Sequence, residues 1–122
     1  MNGRRLAAWV LGSQAALVCL WWGMLAVAPA TRAWFEPPGR PEVLLAFWLP
    51  DALLICASSV VAAVAAARES PRAAAAAWVA LGGLAYATLY CVGLAIHAGG
   101  PWLPVITMAP ACVITAYCAA TL

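Results

Sequence analysis

Lysine is absent from the 122 residues, histidine occurs once, and six arginines face four acids for a net charge of +2. Positive charge this sparse and scattered excludes the clustered basic face that nucleic acids require. A single histidine excludes a self-contained haem bundle, which wants two axial ligands, so haem would need a partner or a dimer. One histidine, one acid within the apolar runs and scattered cysteines give no spacing that would hold zinc or a metal pair. No glycine-rich loop leads to a lysine, and the double glycines at Gly82 and Gly99 lack that context, so nucleotide hydrolysis is excluded. No CxxC pair occurs, and Cys19, Cys56, Cys91, Cys112 and Cys118 all lie inside apolar runs. They read as small packing residues, without the closely spaced thiol pair of membrane redox enzymes that make disulfides. The expectation is therefore no metal, no cofactor and no nucleic acid.

What is present is apolar: 67% of the residues, far beyond a globular composition. Four runs, Leu6 to Ala28, Val43 to Ala67, Ala73 to His97 and Trp102 to Leu122, are each about 20 residues or longer, enough to cross ~30 Å of hydrocarbon. None alternates as a barrel strand does, and helices are the other way to satisfy backbone polar groups in lipid. The fold class predicted is all-α, a polytopic membrane protein whose single domain is a compact bundle of four transmembrane helices over 6–28, 43–67, 73–97 and 102–122. An outer loop spans 29–42. Arg4, Arg5, a long apolar run and Ala26-Val27-Ala28 could also be read as a secretory signal, but the run is longer than a signal core, so it is taken as an uncleaved helix.

Arginine placement orients the chain. Arg4, Arg5, Arg68 and Arg72 fall on the side of the termini, and Arg32 and Arg40 on the other, so both termini are expected in the cytoplasm. Trp9 and Trp78 then lie at the inner interface and Trp34, Trp48 and Trp102 at the outer one, as amphipathic anchors do. The expected home is a cell membrane, a bacterial cytoplasmic one. The outer loop PATRAWFEPPGRPE holds four prolines and should be stiff and partly extended. RESPR, with Ser70 as a cap and Pro71 as a start, turns tightly between helices 2 and 3, and Ala98-Gly99-Gly100-Pro101 between helices 3 and 4. Pro110 should kink helix 4 or free the Ile106 carbonyl. Along helix 3, Gly83, Ala87, Cys91 and Ala95 repeat a small residue every four positions, a surface for close helix packing.

The chain is organised around FWLPDALLICASS, which sets Asp51 inside a run otherwise fit for lipid. An ionisable group there is costly unless it faces a partner or water, which makes it a functional candidate. Two placements are open: roughly 12 Å deep in a helix continuous from Val43, or in the first turn of a helix that begins at Pro50, where its charge favours the dipole. On helix 3, Tyr86, Tyr90 and His97 share one narrow face, with Tyr90 near the depth of Asp51. Asp51, Tyr90 and His97 could thus build an outward-facing polar pocket, extended by Thr107 and Ser58. Alternatively His97 is an interfacial helix end, and the tyrosines, Ser58, Thr88, Thr107 and Thr115 are hydrogen-bonding glue between helices. Gln14 and Ser13 could pair with another helix or with a second copy.

In length and helix count the chain resembles the small multidrug transporters, compact four-helix dimers coupled to protons through a membrane carboxylate. The resemblance is one of size: the glutamate of that family's first helix has no counterpart in Leu6 to Ala28, and the acid here is Asp51 in helix 2. Three functions fit these residues. The first is an accessory or structural subunit that packs against a larger membrane partner through its small-residue surfaces, with the bilayer and a membrane protein or a second copy as partners. The second is a small proton- or cation-coupled transporter using Asp51. The third is a membrane enzyme, or half of one, acting on a lipid or isoprenoid with Asp51 and His97 as acid and base.

Overall fold

The architecture, taken from a computed structural model, covers residues 2–122. All regular structure among these residues is helical, and four helices are long and apolar enough to cross a membrane: α1 (Gly3–Val27), α2 (Pro41–Ala67), α3 (Arg72–Ala98) and α4 (Leu103–Thr121). α1 starts three residues before its apolar run because the Asn2 side chain accepts the Arg5 N–H at 3.0 Å. This satisfies one of the donors that a helix start leaves free. α3 stops where Gly99 takes φ +74, a left-handed conformation natural to glycine, and the Gly100 N–H bonds the Ala95 carbonyl at 2.9 Å. At the turn before α3 the Ser70 hydroxyl accepts the Arg72 N–H at 3.3 Å.

The outer loop is wound rather than extended over its first half. Pro29–Trp34 forms a 3₁₀ turn with Pro29 at its first position. Proline's fixed φ suits a 3₁₀ start as well as an extended chain, and two contacts decide between them. Arg32 Nε donates to the Leu25 carbonyl at 2.9 Å, capping the end of α1. The Phe35 ring meets Trp21 edge-on at 5.3 Å, holding the loop down on α1.

Each helix packs against its neighbours in the chain, and α1 also meets α4. Small residues dominate the end that carries both termini. There Ala7 and Leu11 of α1, Ala62 of α2, Ala77 of α3, and Cys118 and Ala119 of α4 form one buried cluster. Between apolar helices in lipid the gain comes from close van der Waals contact, and alanine lets backbones approach. Toward the opposite end the side chains are larger, and Ile55, Leu84 and Ala87 form a second cluster with Val18, Phe47 and Met108 around it. Trp9, Trp34, Trp48, Trp78 and Trp102 are all exposed, free to reach a membrane interface.

α2 carries the local irregularity. It runs on from Pro41 through a turn at Phe47 and past Pro50, then widens into a π-helical stretch at Asp51–Ala57 before resuming as α-helix. Pro50 has no N–H to give the Ala46 carbonyl, and its ring crowds that carbonyl, so the α register is interrupted there. The wider register reaches five residues back, and the Ser58 hydroxyl donates to the Leu54 carbonyl just beyond it. Gly83 of α3 lies directly against this stretch. A Cβ built there would fall 2.8 Å from Leu54 Cβ and 3.2 Å from the Leu54 carbonyl, so only glycine allows the approach.

Candidate functional site

Asp51 sits ten residues into α2, about 15 Å along it, and is 3% exposed. It is therefore well inside the span and not at a helix start. Its Oδ2 accepts the indole N–H of Trp22 at 3.1 Å. Among the described residues the only ion pair is Arg40 with Glu42, at 2.6 Å and largely exposed. Among the described residues Asp51 thus has one side-chain hydrogen-bond donor and no counter-cation.

Asp51 lines a cavity of about 720 Å³ that all four helices bound. Its walls are mostly apolar, with Trp21, Phe47, Leu84, Leu94 and Met108 among them. Exposed Trp9 and Leu17 of α1 and Thr107 and Ile114 of α4 also line it, so the cavity opens sideways between these two helices. This is the volume of a small-molecule pocket, with few polar groups in an apolar wall. Its chemistry is that of a cation or proton acceptor within a volume that admits an apolar body.

Of the polar and thiol residues singled out in the sequence, the structure brings Ser13, Gln14, Cys91 and Thr107 to the same cavity as Asp51. Thr107 turns its hydroxyl back to the Leu103 and Pro104 carbonyls, each at 3.0 Å. Tyr90 stays outside: it is 43% exposed and packs edge-on against Phe47, with centroids 4.9 Å apart. Tyr86 is exposed and His97 lies exposed near the end of α3, neither lining the cavity. Ser58 is turned to its own helix. Gly83, Ala87 and Ala95 pack inside the chain, with Gly83 against Leu54 and Ala87 beside Ile55.

Three pairings tie α1 to α2; a partner for Gln14 on another helix was expected, and the other two were not foreseen. Trp22 meets Asp51; Cys19 Sγ lies 3.3 Å from Cys56 Sγ; and Gln14 Nε2 donates to Ser59 Oγ at 3.0 Å. Gln14 Oε1 in turn accepts from Thr115 of α4 at 2.6 Å, a hydroxyl also 2.7 Å from the Ala111 carbonyl. The partners climb α2 as they descend α1, an antiparallel seam. The signal for it lay in Gly12, Ala15, Cys19 and Trp22, which follow at three- and four-residue steps and so share one face of α1. Comparison with protein-family models, curated proteins and solved structures gives no match.

Proposed function

We propose that the chain is a small membrane transporter in which Asp51 exchanges a proton or pairs with a cationic solute inside the cavity. The observation that carries this reading is buried Asp51, on the wall of a 720 Å³ cavity and without a counter-cation among the described residues. A carboxylate charge left unpaired in hydrocarbon costs several kcal/mol, so a proton or an entering cation is what neutralises it. The apolar walls and the sideways opening suit a solute that arrives from the lipid. Arginine placement supports both termini on the cytoplasmic side of a cell membrane, with the four helices as a compact bundle.

Docking to a larger membrane subunit is the weaker reading, because Gly83 and Ala87 of the helix 3 row expected to meet a partner are buried against α2. Lipid chemistry with Asp51 and His97 as acid and base is weaker again, since His97 does not reach the cavity. Modification by a hydrophobic carbodiimide tests the site. In liposomes the reagent should couple to Asp51, and organic ammonium ions in the medium should slow the coupling at least tenfold. Modification of Asp51 at one rate whatever cation is present would sink the proposal.

A further inference from the structure

Among the described residues, Cys19 and Cys56 are the one pair of thiols from different helices that come together. Their sulfurs are 3.3 Å apart, within hydrogen-bonding reach, and Cys56 Sγ also lies 3.7 Å from the Ala15 carbonyl. Cys91, Cys112 and Cys118 have no such neighbour, and no group of three metal-ligating side chains forms among the described residues. A pair without a third ligand favours sulfur–sulfur bonding over metal capture. A disulfide needs the sulfurs at about 2.05 Å, an approach of roughly 1.2 Å from their present separation.

Position decides the oxidant. Cys19 is exposed at the α1–α2 seam, eight residues or about 12 Å from the nearer end of α1. That depth is hydrocarbon in a spanning helix, where water-borne oxidants do not dissolve and lipid-soluble quinones do. We infer that Cys19 and Cys56 form a reversible disulfide, made by a membrane-dissolved quinone, that staples α1 to α2. Two S–H bonds break and one S–S bond forms; the quinone takes the two electrons and two protons and leaves as quinol. The staple lies beside the candidate site, since Cys19 is three residues before Trp22. Cys56 is five after Asp51, a step that the π register keeps on one side of the helix.

The test uses the full chain in liposomes containing decylubiquinone, followed by denaturation, thiol alkylation and mass spectrometry. Without quinone all five cysteines should alkylate. With it Cys19 and Cys56 should be lost from labelling together, with a mass about 2 Da lower, and a membrane-permeant reductant should restore both. Cys19→Ser and Cys56→Ser should each keep every remaining thiol alkylatable. Full labelling after quinone, loss at Cys91, Cys112 or Cys118 instead, or bridges only between two copies would each overturn the inference.

Discussion

Asp51 and Gly83 show what single residues can reveal from sequence and what they cannot. Gly83 stood out as one end of a row of small residues, and the structure gives the reason at atomic scale: Leu54 offers its Cβ and carbonyl, with no flexible tip that could move aside. Gly83→Ala should therefore destabilise the protein by about 1–3 kcal/mol in detergent unfolding, the usual cost of forcing an atom into a packed contact. Stability equal to the original would show that α2 and α3 do not approach this closely. Asp51 was legible because it is the only acid within an apolar run. Its partner was not, because an indole in an apolar helix looks the same whether its N–H meets a carboxylate or an interface.

At the level of elements, the spans were readable because the first three apolar runs give way to Pro29, Arg68 and the Gly99-Gly100 turn, and the fourth begins after Pro101. The course of α2 was not, since Pro50 is equally good as a helix start and as an interruption. A local rule cannot choose between them. The choice depends on a register that shifts to bridge the lost donor, and on Gly83 making room for the wider turn. Which faces meet was also hidden, because helices apolar all round carry little rotational signal. Gln14 now marks that choice by joining α1 to Ser59 of α2 and Thr115 of α4. Gln14→Leu should cost about 1 kcal/mol, from two interhelical bonds of ordinary strength in a membrane. Ser58→Ala, which removes only bonds within α2, should cost clearly less in the same unfolding assay. A reversed order would place the polar contact elsewhere.

For the whole molecule, alanine at one end and larger side chains toward the other let the helices close at the termini and part around the cavity. The alanine-rich stretches 62–67 and 73–77 account for the closed end, but no local pattern carries a volume, because a cavity is set by four helices at once. The orientation we propose predicts that a maleimide unable to cross membranes labels Ala33→Cys, and not Ser70→Cys, on intact cells. The opposite pattern would invert the chain. The central claim is that Asp51 exchanges its proton for a cation, and solute-driven proton flux in liposomes tests it most directly. With a pH gradient imposed, adding organic ammonium ions should collapse the gradient through the original protein. Asp51→Asn, folded to the same extent, should lose at least tenfold of that rate. Undiminished flux through Asp51→Asn would contradict the account.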